Sequence, residues 1–385
     1  MRNDDVLSWL DGQHEAMIEL LRDAVNIDSG SYNKAGVDAV GKVFKDHLAR
    51  SGIPSETVPN DTYGDCIRAV VSGSGRGDNR PVVLMGHRDT VFPDGTAAER
   101  PFRIEGDRAY GPGVADMKAG LVINTFVLEA FARAGGAPIP LVGLYTSDEE
   151  IASPSSRPVI ENEARGARAV LNAEPGRPTG NLVKQRKGAC FMEIEVLGKP
   201  AHSGANHEQG ASAIEALARK ITRMHALTDY ETGTTVNVGL VKAGSSVNTV
   251  APHAWAAIDV RFKTIEAMNE ARARIDEILQ HEDVAGTSTK VLAQRLFLPL
   301  VPTPDSASLF NLYAEGAREL GFQVEGEFTG GSADSGFTAA VGAPTLCATG
   351  PVGGKAHTAE EYLEIRTLVP RAKALALTII RLGRA

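Results

Sequence analysis

The sequence predicts an α/β protein in which a mainly parallel sheet flanked by helices is interrupted by a second unit of βαββαβ order. Three observations lead there. Short apolar runs recur at 68–71, 82–85, 139–145, 167–171 and 344–348, with helical spacing in several of the stretches between them. From about Lys187 to Phe297 the pattern instead reads strand, helix, strand, strand, helix, strand. The length of 385 residues exceeds what one core usually serves, so two domains are expected.

The elements follow in order. Leu7, Leu10, Met17, Leu20, Leu21 and Val25 recur near helical spacing and predict a helix from Leu7 to about Val25. A second helix is expected over Lys34–Ser51, and a third over Asp116–Ala134 between the runs at 82–85 and 139–145. In the interrupting unit, strands are expected at 190–197, 234–241, 254–262 and 290–297, and helices at 210–227 and 265–279. Such a unit forms its own antiparallel sheet with helices on one face. Gly188 and the Pro299–Pro304 stretch mark plausible hinges. The main domain then covers 1–186 and 298–385, and the inserted domain 187–297.

Apolar residues at 43% and charged residues at 23% exclude a largely disordered chain. A net charge of -8 without a dense Lys/Arg block disfavours nucleic-acid binding. Only Cys66, Cys190 and Cys347 occur, with no CxxC pair, which suggests neither a disulfide framework nor a thiolate zinc site and fits a reducing compartment. The stretch Met1-Arg2-Asn3-Asp4-Asp5-Val6 has no apolar signal core, so a cytoplasmic location is expected. No run approaches the roughly 18 apolar residues of a membrane span.

Chemistry gathers after the apolar runs. His87, the adjacent pair Glu149 and Glu150, and Glu174 each follow one, which places them at the carboxyl edge of the sheet, where ligands bind in open α/β folds. Asp116 in Gly113-Val114-Ala115-Asp116-Met117-Lys118 and His357 in Lys355-Ala356-His357-Thr358 add to them. Zinc accepts imidazole nitrogen and carboxylate oxygen, and a two-metal site lets one carboxylate bridge the ions. Asp116 is the expected bridge, with His87 and Glu174 completing one shell and Glu150 and His357 the other. On an extended chain Glu149 and Glu150 would face opposite ways, so one holds a cation while the other takes a proton from the water. Glu149 is the expected base, returning that proton to the departing amine. Asp89, two residues after His87, would orient its imidazole. Singly, each residue reads as a surface histidine, a helix-start acid or a cap; together they read as a two-metal hydrolase.

These motifs resemble the dinuclear-zinc metallopeptidase family of glutamate carboxypeptidase, acetylornithine deacetylase, succinyl-diaminopimelate desuccinylase and aminoacylase. The carriers are Gly86-His87-Arg88-Asp89-Thr90-Val91, Tyr110 through Lys118, Thr146-Ser147-Asp148-Glu149-Glu150, Glu174-Pro175 and Gly354-Lys355-Ala356-His357-Thr358, in order over nearly the whole chain. The resemblance implies two Zn2+, with Co2+ or Mn2+ as substitutes. It also implies that the inserted domain is a ferredoxin-like lid that makes a homodimer, and that His202, in Gly198-Lys199-Pro200-Ala201-His202-Ser203-Gly204, polarises the scissile carbonyl. Asn248 and Arg261 match lid positions that hold substrate, and a guanidinium can grip a free carboxylate through two parallel hydrogen bonds. Gly330-Gly331-Ser332 is expected to open a helix whose N-H groups bind the same carboxylate.

Ala109-Tyr110-Gly111-Pro112-Gly113, Gly330-Gly331-Ser332-Ala333-Asp334 and the His357 loop most resemble the glutamate carboxypeptidase branch. The expected reaction is therefore release of a C-terminal amino acid, glutamate first, from a small N-acyl amino acid or short peptide. Met117 after Asp116 departs from the folate-cleaving member, which has a second acid there. The alternatives are an acetylornithine-type or general N-acyl-amino-acid deacylase and, in another class, a non-catalytic binding protein of the same fold.

Overall fold

A computed structural model describes residues 3–73 and 79–384 of the chain. It divides into two compact units, the first made of Met1–Gln185, Pro302–Phe328 and Phe337–Ala385, the second of Arg186–Val301 and Thr329–Gly336.

The first unit is built on a six-stranded sheet, in spatial order Ser55–Val58, Cys66–Val71, Leu141–Thr146, Val82–His87, Ala169–Asn172 and Thr345–Leu346. The last four run parallel; the first two form an antiparallel edge. Val82–His87 and Leu141–Thr146 are buried at every position, as strands covered on both faces must be, which is why they read as continuous apolar runs. The helix Ala119–Arg133 is buried from Ala119 through Phe131. Its Leu121, Phe126 and Val127 share one core with Leu84 of the sheet and with Leu375 and Ile379 of the helix Leu368–Leu382.

Two expected helices change shape. The first is two helices, Asn3–Asp11 and His14–Val25, parted at Gly12, a residue that lowers helix propensity by about 1 kcal/mol. Asp116 lies ahead of the Ala119–Arg133 helix, in an irregular turn over Val114–Lys118 where Asp116 (φ -110°, ψ 91°) and Met117 (φ -135°, ψ 36°) leave helical geometry. The Asp116-Met117 peptide is cis.

The second unit follows the expected order: strand Gly188–Leu197, helix Ala213–His225, strands Thr235–Ala243 and His253–Phe262, helix Ile265–Gln280, strand Ser288–Phe297. Its sheet is antiparallel, ordered Thr235–Ala243, His253–Phe262, Gly188–Leu197, Ser288–Phe297. Alternate residues Met192, Ile194 and Val196 join Ala254, Ala256 and Ile258 in a core closed by Leu217, Met224, Ile275 and Leu279 of the two helices. Ser212 and Thr264 cap those helices, accepting from Glu215 N and Ala267 N at 3.2 Å each. The unit also takes in Thr329–Gly336, the segment that holds Gly330, Gly331 and Ser332. No helix among the described residues is long and apolar enough to cross a membrane.

Candidate metal centre

Within the first unit, His87 ends the strand Val82–His87, Glu149 and Glu150 follow Leu141–Thr146, and Glu174 follows Ala169–Asn172. Asp116 arrives from the irregular turn. His357 arrives from the loop after Gly353–Gly354, in left-handed backbone (φ 64°). Ligand-competent atoms of His87, Asp116 and Glu174 lie within 4.8 Å of one another, as do those of Asp116, Glu150 and His357, so Asp116 belongs to both groups. A third group, His87 with Glu149 and Glu150, puts Glu149 at the same centre.

The two oxygens of Asp116 are divided between the two imidazoles. Oδ1 is 3.3 Å from His87 Nε2, and Oδ2 is 3.3 Å from His357 Nε2. Glu150 Oε2 lies 3.2 Å from His357 Nε2, while Glu149 Oε2 and Glu174 Oε1 each lie 3.9 Å from His87 Nε2. A tetrahedral cation with bonds of about 2.0–2.1 Å spaces neighbouring donors about 3.3 Å apart, so the donor set suits such an ion. Glu150 Oε1 is buried without a hydrogen-bond partner, an oxygen that a cation would satisfy.

The electrostatics agree. Four carboxylates, Asp116, Glu149, Glu150 and Glu174, crowd two imidazoles. Burial opposes a charged His87, yet Asp116, Asp89 and Glu149 hold its affinity for a proton well above the ordinary imidazole value. Asp116 and Glu150 raise His357 to about 10. Burial pushes Glu150 up, with Asp116 adding to it against His357. Burial likewise disfavours ionised Asp116, but His357 and His87 outweigh it and bring its carboxyl below the usual range. Raised proton affinity at His87, His357 and Glu150, set among carboxylates, is what a site short of positive charge shows.

One expectation about local geometry is corrected and another is extended. Glu149 and Glu150 lie on a single 3-10 turn, Glu149–Ile151, rather than on an extended strand, and an oxygen of each comes within 4.8 Å of a His87 ring nitrogen instead of facing opposite ways. Asp89 does more than face an imidazole. His87 Nδ1 lies 2.9 Å from the Asp89 carbonyl oxygen and 3.4 Å from its carboxylate. The Asp89 carboxylate accepts from Glu149 N and Glu150 N, each at 3.1 Å, and from the Ser31 hydroxyl at 2.6 Å. It therefore anchors the turn that presents both glutamates.

In the second unit, His202 is exposed, and its Nδ1 accepts from Gly204 N at 3.1 Å and Ala205 N at 3.2 Å. That leaves Nε2 to carry the proton of the neutral ring. The Asn248 carbonyl accepts from Ser203 N at 3.0 Å, so His202 and Asn248 belong to one loop pair. Arg261 is gripped at both ends by Asp259, at 2.7 and 3.0 Å, and its remaining amine donates to the Ser332 hydroxyl at 3.3 Å. Gly330, Gly331 and Ser332 do not open a helix. The next one, Ser335–Ala340, begins three residues later, and the Gly331 and Ser332 carbonyls accept from Arg186 at 3.2 Å each.

Sequence reasoning missed Ser31, Asp259 and Glu361. The carboxyl of Glu361 is buried and accepts three backbone N-H groups of the Asp116 turn. Burial, reinforced by the Asp116 carboxylate, pushes it up to about 7 against those hydrogen bonds. In Ala359-Glu360-Glu361-Tyr362 nothing distinguishes it from the exposed Glu360 beside it.

Comparison with known proteins adds to this geometry. Residues 83–381 match the model of peptidase family M20/M25/M40. Carboxypeptidase G2 of Pseudomonas sp. (strain RS-16) is 29% identical over 380 residues, covering 96% of this chain and 90% of the relative. A succinyl-diaminopimelate desuccinylase of Burkholderia multivorans is 29% identical over 354 residues, 86% of this chain and 90% of the relative. Among solved structures, a Staphylococcus aureus tripeptidase superposes with a TM-score of 0.77 at 20% identity, covering 97% of this chain and 99% of the other.

Proposed function

As a member of peptidase family M20/M25/M40 this chain is a hydrolase of the metallopeptidase class, and we propose that it releases a C-terminal amino acid, glutamate first, from an N-acyl or peptidyl substrate. The observation that carries the reading is Asp116, whose two oxygens each stand 3.3 Å from a different imidazole. His87, Asp116 and Glu174 would hold one zinc ion, and Asp116, Glu150 and His357 a second. Bound there, the pair would acidify water and polarise the amide carbonyl.

The chain's own residues supply the rest. Glu149 takes the proton from the attacking water and delivers it to the departing nitrogen, held in place by the Asp89 carboxylate on its backbone. His202, with its proton on Nε2, donates to the developing oxyanion. Arg261, whose amine facing the Ser332 hydroxyl is the one not held by Asp259, receives the substrate carboxylate, and Asn248 lines the same lid. The match to carboxypeptidase G2 across 96% of the chain supports the carboxypeptidase reading. The desuccinylase at the same identity supports deacylation of an N-acyl amino acid as the second reading. A homodimer through the inserted domain completes the assignment. The edge strand Thr235–Ala243 exposes Leu240 and Val241, an apolar edge suited to pairing, and light scattering on the purified protein tests it.

The decisive experiment is a hydrolysis panel on zinc-reconstituted enzyme, varying the acyl group and the amino acid separately. Chelation should abolish turnover and zinc restore it, with acyl-glutamates cleaved fastest. Faster cleavage of acetyl-ornithine or succinyl-diaminopimelate would replace the carboxypeptidase reading with the deacylase one. Failure of zinc to restore any hydrolysis would leave only a binding protein.

A further inference from the structure

Glu361 lies in the first unit but in none of the metal-competent groups. Its side chain is closed off from solvent, yet it is a carboxylate, a group that is costly to bury unless its oxygens are satisfied. They are satisfied by one short stretch of backbone. One oxygen accepts from Ala115 N at 2.8 Å and Asp116 N at 2.9 Å, and the other from Gly113 N at 3.1 Å. The stretch is the irregular turn whose departure from helical geometry aims the Asp116 side chain, so the carboxylate serves as the template on which that turn is bent.

Glu361 also stands four residues after His357. Between them Glu361 N donates to Thr358 O at 3.3 Å, and the Thr358 hydroxyl donates to Lys355 O at 2.7 Å, which keeps the loop folded on itself. One side chain therefore ties the loop carrying His357 to the turn carrying Asp116, two members of one donor group that lie 241 residues apart in the chain. A serine or glutamine could accept fewer of these N-H groups, and neither would add negative charge beneath a cluster built for cations.

We propose that Glu361 is a positioning residue for cation binding, which preassembles the Asp116–Glu150–His357 group by holding the Asp116 turn in register with the His357 loop. The inference rests on the two-cation reading above. It predicts that removing this carboxylate weakens binding of a divalent ion, most at the group containing His357, without unfolding the metal-free protein.

The test compares wild type with Glu361→Gln and Glu361→Asp. Zinc stoichiometry and affinity are read by competition with a chromogenic chelator, the Co2+ absorption spectrum reports ligand geometry, and thermal unfolding is followed on metal-free protein. Glu361→Gln should bind one of two zinc ions at least tenfold more weakly and show an altered Co2+ spectrum, with metal-free unfolding close to wild type. Glu361→Asp, which keeps the charge on a shorter arm, should recover part of the affinity. Wild-type zinc affinity and Co2+ spectrum in Glu361→Gln overturn the proposal. So does a loss of zinc that only mirrors a collapse of the metal-free fold in both variants. If Glu361→Gln alone does not fold, Glu361→Asp decides by the same criterion. Wild type that binds no zinc would instead defeat the two-cation reading itself.

Discussion

At the scale of single residues, proton transfer and ion binding separate cleanly. Glu149→Gln keeps the shape of the side chain but removes the base, so kcat should fall by about 10²–10⁴-fold while zinc content stays at the wild-type level, as metal analysis and steady-state kinetics would show. His87→Ala should do the reverse first, lowering zinc content. A carboxylate far from this chemistry illustrates the pH dependence of stability. Glu129, buried on the helix Ala119–Arg133, pays a burial penalty that His47 (2.8 Å) and Arg133 (2.8 Å) more than offset, so its pKa is lowered in the folded protein. A lowered carboxylate pKa stabilises the fold above the unfolded value near 4.5 and loses that contribution as pH falls through the folded value. Glu129→Gln should cost about 2 kcal/mol at pH 7, measured by urea unfolding, and the gap to wild type should close on acidification.

At the scale of elements, the site depends on backbone passing very close to backbone. A Cβ added to Gly120, in the first turn of the helix Ala119–Arg133, would stand 1.9 Å from the Ala173 carbonyl oxygen; one added to Gly350 would stand 2.4 Å from the same oxygen. These two glycines let a helix and a loop close on the segment that presents Glu174. Gly120→Ala should destabilise the protein by about 1–3 kcal/mol and weaken zinc binding along with it, measured by calorimetry and chelator competition. Asp89→Asn should cost about 10–100-fold in zinc affinity or kcat, because the turn Glu149–Ile151 loses its anionic anchor. Much of this layer was legible in the sequence. Strands buried on both faces announce themselves as apolar runs, and the residues that follow them fall at one sheet edge without further information. The illegible part was local backbone shape. Adjacent acids look alike on a strand or on a 3-10 turn, Gly330-Gly331-Ser332 resembles a helix start, and Glu361 looks like any loop acid because its three partners are main-chain amides that carry no side-chain signature. The Asp259 hold on Arg261 was hidden for a different reason: two residues apart on a strand they share a face, and only the side-chain rotamers close the fork.

At the scale of the whole chain, each unit has its own core, and every donor of the candidate centre belongs to the first. That unit is discontinuous, since 186–301 and 329–336 belong to the other, and its completion depends on residues beyond 344: the strand Thr345–Leu346, His357, Glu361 and the helix Leu368–Leu382, whose Leu375 and Ile379 are fully buried. A chain stopped at Ala343 should lack the two-zinc stoichiometry and lose the calorimetric transition of the first unit while keeping that of the second. Order of synthesis then becomes a control on chemistry. A ribosome delivers His87, Asp116, Glu149, Glu150 and Glu174 first and His357 only later, with more than a hundred residues of a separate unit translated in the interval. One donor group can assemble once Glu174 has emerged, while the other waits for His357, so the two cation positions need not mature together.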